Sequence, residues 1–144
     1  MSKVEQAVSC FKDGFSCSQA ILSTYGPELG IDKTTALKVS APFGGGMARM
    51  GETCGAVTGA LMVLGLKYAA GKESKEKLYS FVTEFASRFK SRNNSISCKE
   101  LLGCALNTPE GQKIFKEKNL FATSCTHYVR DAAEIIEMLI KENS

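Results

Sequence analysis

Residues 54–70 read CGAVTGALMVLGLKYAA. Ala56, Val57, Ala60, Leu61, Met62, Val63, Leu64 and Leu66 would cover nearly every side of a helix wound through this stretch. That pattern predicts a central helix buried all round. The stretch borders on the length of a membrane span. Glu52 and Lys67 flank it and Gly55, Gly59 and Gly65 interrupt it, which favours a core helix. Gly55 and Gly59 lie four apart on one face, with Ala56 and Ala60 nearby. Missing side chains let another backbone come close, or leave room beside Cys54 for a cofactor or a partner sulfur.

Helix signals repeat on both sides of this segment. Ser2-Lys3-Val4-Glu5 has the form of a capping box, followed by Val4, Ala7, Val8 and Phe11 at helical spacing and a stop at Gly14. A second helix is expected from Ser16 to Tyr25, ahead of Gly26-Pro27. A third, capped by Asp32, ends before Pro42. Residues 43–51, FGGGMARMG, form a glycine-rich loop. Ser74 is read as the cap of a helix whose stripe is Leu78, Phe81, Val82, Phe85 and Phe89, broken at Asn93-Asn94-Ser95. Ser97-Cys98-Lys99-Glu100 is a second capping box. Thr108-Pro109 is a cap with proline at the first helical position. The last helix spans about Cys125 to Lys141, with Tyr128, Val129, Ala132, Ile135, Ile136, Leu139 and Ile140 on its apolar face. Strand signals are almost absent. The expectation is one all-α domain over residues 1–144, a bundle of about six to eight helices.

Composition narrows the function. The chain has 144 residues, 44% hydrophobic and 23% charged, which is globular and sufficient for one core. A net charge of +3 is too small to argue for nucleic acid or an acidic membrane surface. The N-terminal residues carry an acid early and no apolar run, so a signal peptide is not expected, and the cytoplasm is the expected compartment. Six cysteines in a reducing compartment point to metal or redox chemistry more than to structural disulfides.

Four of the six share a context. Cys17, Cys54, Cys98 and Cys125 each follow a Ser or Thr: Ser16, Thr53, Ser97 and Ser124. If each hydroxyl residue is an N-cap, each cysteine falls at the first helical position. There the free N–H groups and the helix dipole favour a thiolate, the form that acts as nucleophile or metal ligand. Cys10 sits inside a helix, and Cys104 follows Gly103 at a helix end where the dipole opposes a thiolate. Both are expected to be structural. The absence of any CxxC argues against zinc ribbons, thioredoxin-like dithiols and clustered ferredoxin runs. The fold would have to assemble a site.

The pieces Cys17-Ser18-Gln19-Ala20, Phe43-Gly44-Gly45-Gly46-Met47, Gly51-Glu52-Thr53-Cys54-Gly55-Ala56-Val57-Thr58-Gly59-Ala60, Cys98-Lys99-Glu100-Leu101-Leu102-Gly103 and Cys125 occur in the order of a known family. The sequence resembles, over nearly its whole length, the redox-active C_GCAxxG_C_C family, named for scattered cysteines and a CGAxxG motif. The resemblance implies that Cys17, Cys54, Cys98 and Cys125 are the characteristic four and that the role is redox. A similar cysteine-bearing domain in split-Soret cytochromes accompanies haems and an iron–sulfur cluster. This chain has no CxxCH and hence no covalent haem site.

Three functions compete. In the first, Cys17, Cys54, Cys98 and Cys125 converge to ligate an iron–sulfur cluster or another soft metal such as zinc, for electron transfer to an unnamed redox partner. In the second, a metal-free thiol–disulfide oxidoreductase or redox sensor, Cys54 is the catalytic nucleophile and one of the other three resolves. In the third, the chain is a helical interaction module, for instance a homodimer, with structural cysteines. His127, the only histidine, is a surface or capping residue more readily than a ligand or base. Gly44-Gly45-Gly46 with Arg49 is similar to an anion-binding loop but lacks the residues of a P-loop. It is expected to turn the chain and leave Cys54 approachable.

Overall fold

The computed structural model describes residues 1–144 and contains eight helices and no strand. They are α1 (Lys3–Lys12), α2 (Cys17–Tyr25), α3 (Lys33–Ser40), α4 (Gly55–Tyr68), α5 (Lys75–Asn93), α6 (Cys98–Leu102), α7 (Pro109–Glu117) and α8 (Thr126–Glu142). The all-α expectation holds. No helix is long and apolar enough to cross a membrane.

α4 occupies the centre and packs against α2, α5 and α8, while α1 lies across α2 and α8. Gly55 to Ala60 are buried on every side, as a helix without a polar face requires; Leu61 and Met62 are partly buried, and the end emerges at Leu66. α5 contributes Phe81, Phe85 and Phe89 to the core at helical spacing. α8 answers with Val129, Ala132, Ile135, Ile136 and Leu139. Polar groups on the same two helices lock their register. Arg92 bonds Asp131 at 3.0 Å and Glu134 at 2.7 Å, and the Asn93 side chain donates to Asp131 at 3.1 Å.

The caps follow the sequence in part. Ser2, Asp32, Ser97 and Thr108 each accept a backbone N–H of the first turn. Neither predicted capping box closes: Glu5 pairs with Arg130 instead, and Glu100 accepts from the Ser95 hydroxyl. The reciprocal box forms at Ser16–Gln19, where the Ser16 N–H donates to Gln19 at 2.9 Å. Ser74 is not a side-chain cap for α5; its hydroxyl accepts the Ala70 N–H and ties back the preceding turn.

Two of the four cysteines are not where the capping argument put them. Cys54 is itself the N-cap residue of α4, because Thr53 pairs with Ser97 as an isolated antiparallel bridge. Cys125 does not open a helix. A π-helical turn at Phe121–Cys125 runs without a break into α8, so its backbone offers no free helix start. Cys17 and Cys98 stand at the first helical position as expected.

Candidate functional site

The α2–α4 contact is made of small residues, and that brings two cysteines together. A Cβ on Gly55 would collide with the Cys17 sulfur and lie 2.9 Å from the Phe43 carbonyl oxygen. A Cβ on Gly59 would lie 2.9 Å from the Ser18 carbonyl and 3.1 Å from Ile21 Cβ. The two readings of this glycine pair are therefore one: close helix packing is what leaves room for a second sulfur beside Cys54.

The glycine-rich loop completes the arrangement. Gly45, Gly46, Met47, Ala48 and Arg49 are consecutive left-handed residues, with φ of 66°, 65°, 67°, 53° and 70°. For the three that carry a Cβ, this conformation costs roughly 1–2 kcal/mol each. The chain folds tightly enough for Gly44 to meet Ser16 and Gly46 to meet Cys98. Added Cβ atoms would lie 2.6 Å from theirs. The loop then returns past residues 96–99, where the Cys54 N–H donates to Ile96 at 2.7 Å and the Cys98 N–H to Glu52 at 2.6 Å. Cys54 and Cys98 are thereby held on adjoining segments.

Cys17, Cys54, Cys98 and Cys125 all line one cavity of about 510 Å3. Its wall is mostly apolar, with Phe11, Phe121, Leu106 and Tyr128 among the larger residues. Phe11 and Phe121 stack with centroids 4.2 Å apart, and the Tyr128 hydroxyl donates to the Leu101 carbonyl at 3.0 Å, tying α8 to α6. All six thiols are free.

The electrostatics differ among the four. The Cys54 thiol as hydrogen-bonding neighbour, then the backbone N–H groups of Ser18, Gly45 and Cys17 itself, favour the charged form of Cys17. Together they outweigh burial and bring the Cys17 pKa down to about 7. Cys54, supplying that hydrogen bond and buried beside a forming charge, is driven well above the ordinary thiol range. Burial pushes Cys98 and Cys125 up to about 12. The expectation of thiolate character at every helix start therefore fails for three of the four. At Cys98 a helix of five residues with one capped N–H does not offset desolvation. Cys54, expected to be approachable, is buried at 6% exposure.

The site also includes residues that the sequence reading passed over. Cys104 packs with Cys98 and Leu106 in a small cluster adjoining the cavity. The Gly45 N–H is among the groups that lower the Cys17 pKa, so the glycine-rich loop belongs to the site. Cys10 stands apart, its thiol 3.7 Å from the Ser23 hydroxyl. His127 is exposed and pairs with Asp131 at 3.1 Å. No three Cys, His, Asp or Glu side chains are grouped closely enough to hold a single metal ion. A tetrahedral zinc does not fit the side chains as they stand.

Residues 15–139 match the model of the family described as "Putative redox-active protein (C_GCAxxG_C_C)". The chain belongs to this family. No curated protein and no solved structure matches it. The C_GCAxxG_C_C match spans all four chamber cysteines, the glycine-rich loop and α4, and leaves out Cys10.

Proposed function

We propose that this C_GCAxxG_C_C protein is a dithiol–disulfide redox centre in which Cys17 is the attacking thiolate and Cys54 the resolving thiol. One observation carries the reading: the Cys17 sulfur lies against Gly55, the residue next to Cys54, and both cysteines line the same cavity. A thiolate near neutral pH is close to the optimum for attack on a disulfide. The Cys17 thiolate attacks one sulfur of a small disulfide, and the first half leaves as a thiolate. Cys54 gives its proton to solvent and attacks the Cys17 sulfur, expelling the second half. Two protein thiols become one disulfide, and one external disulfide becomes two thiols. This reading gives the attack to Cys17 rather than Cys54 because Cys17 is the more exposed of the two and opens α2, while Cys54 is buried.

The test is anaerobic oxidation with a stoichiometric disulfide, followed by thiol counting and peptide mapping. The expected result is two thiols lost and a Cys17–Cys54 link, with no link in Cys17→Ser or Cys54→Ser. Oxidation that joins a different pair while Cys17 and Cys54 stay reduced would overturn the assignment.

A second reading is a thiolate-ligated iron–sulfur cluster for electron transfer. It is supported by four cysteines lining one chamber, the donor number such clusters use. Cys17, Cys54, Cys98 and Cys125 would hold it, and the chemistry supplied would be one-electron transfer. Iron and acid-labile sulfide in anaerobically purified protein, lost in Cys98→Ser and Cys125→Ser, are the results it requires. Iron-free protein that nonetheless forms the Cys17–Cys54 disulfide would leave the first reading alone.

A further inference from the structure

The chamber is larger than a dithiol needs, and one of its residues has no role in the chemistry above. Arg49, an exposed residue at the mouth, is the only Lys, Arg, Asp or Glu in a wall whose other polar members are Ser16 and Gln19. It makes no ion pair and no side-chain hydrogen bond, although the three other arginines of this chain each pair with a carboxylate. Its stem lies over the loop, so that a Cβ on Gly45 would be 3.1 Å from Arg49 Cγ. The backbone beneath it is the end of the left-handed run, a conformation that an arginine adopts only at a cost. The same run begins at Gly45, which lines the cavity with Cys17. One strained segment therefore borders Cys17 at one end and carries an unpaired guanidinium at the other.

We infer that the chamber binds a small apolar disulfide bearing an acid group, with Arg49 holding the anion and Cys17 meeting the sulfur. This rests on the reading of Cys17 as nucleophile and adds the chemical class of its substrate. A volume of about 510 Å3 accommodates a molecule of one or two rings. Phe11, Phe121 and Tyr128 supply the apolar surface. A guanidinium is suited to a carboxylate because it can offer two parallel N–H donors. Neutral disulfides of the same size would be accepted by the wall but not oriented.

The experiment compares two probes on the whole chain at fixed pH. Dithiobis-nitrobenzoate is an aromatic disulfide with a carboxylate on each ring, and dithiodipyridine is an uncharged aromatic disulfide. The readout is the ratio of their rates in the fast phase that Cys17→Ser removes. In Arg49→Gln this ratio falls about tenfold, the worth of one charge-assisted hydrogen bond. Arg49→Lys, which keeps the charge but not the paired donors, restores part of it. A ratio unchanged in Arg49→Gln overturns the inference while leaving the dithiol intact. A fast phase with the uncharged probe that survives Cys17→Ser overturns the dithiol reading, and the inference with it.

Discussion

α4 is gripped on two sides by opposite means. Against α2 it presents Gly55 and Gly59, and backbone meets backbone around Cys17 and Ser18. On the far side, α5 and α8 fill the core with phenylalanine, isoleucine and leucine, and Arg92, Asn93 and Asp131 add a polar clasp. The second side buries large apolar side chains, where the hydrophobic effect stabilises the fold most. The first gives up that area for proximity between two sulfurs. In the proposed dithiol centre, stability and chemistry fall to different helix contacts, and substitutions should separate them.

The largest effect on stability belongs to the phenylalanine side. Phe85 is fully buried, and Phe85→Ala is expected to cost about 3–5 kcal/mol in denaturant unfolding. Cys17 reactivity in the folded fraction should be unchanged. A shifted Cys17 rate under native conditions would mean that the two sides are mechanically coupled. Asp131→Ala follows. It removes the partner of Arg92, Asn93 and His127 from a position only 4% exposed. A loss of about 1–3 kcal/mol is expected, again with Cys17 unaffected.

Gly55→Ala tests the other side. Alanine favours a helix over glycine by about 1 kcal/mol, but its Cβ would meet the Cys17 sulfur and the Phe43 carbonyl inside contact distance. Overpacking of this kind typically costs about 1–3 kcal/mol, so the net change in stability is small or moderate. Disulfide formation between Cys17 and Cys54 should suffer far more than the melting curve does. Equal Cys17–Cys54 oxidation in the variant would show that the close approach is incidental.

The fold was largely legible because its determinants are local. The all-apolar run of α4, the stripes of α5 and α8 and the caps at Asp32 and Thr108 each declare a helix within a few residues. The site was legible only as a set of cysteines. Cys17 and Cys54 become a pair because Gly55 admits a sulfur from α2, a contact between distant segments. The Ser124-Cys125 dipeptide looks like the other three, yet the chain there continues through a π-helical turn. The ranking of the four thiols depended on burial against dipole, and burial is set by the packing of α6 and α8 around the chamber. The left-handed run needed tertiary support that composition does not disclose: glycine accounts for Gly45 and Gly46, but nothing local predicts Met47, Ala48 and Arg49 at positive φ.

The smallest effect on stability is expected at Cys54, and there the chemistry changes most. Cys54→Ala removes one buried sulfur, worth about 1 kcal/mol on the scale of a methylene. It also removes the hydrogen bond that is the largest cause of the low Cys17 pKa. The sign follows directly: a donor to the thiolate favours the charged form, so its loss raises the pKa. In the wild type the rate of Cys17 alkylation should rise with pH through a midpoint near 7, against an ordinary thiol value of 9.0. In Cys54→Ala the midpoint should move upward, while the N–H groups of Ser18 and Gly45 still favour the thiolate. Phe85→Ala and Asp131→Ala should leave that midpoint in place. A profile unmoved by Cys54→Ala would assign the thiolate to the backbone donors alone, and the glycine-lined contact would then serve resolution of the disulfide rather than activation of the nucleophile.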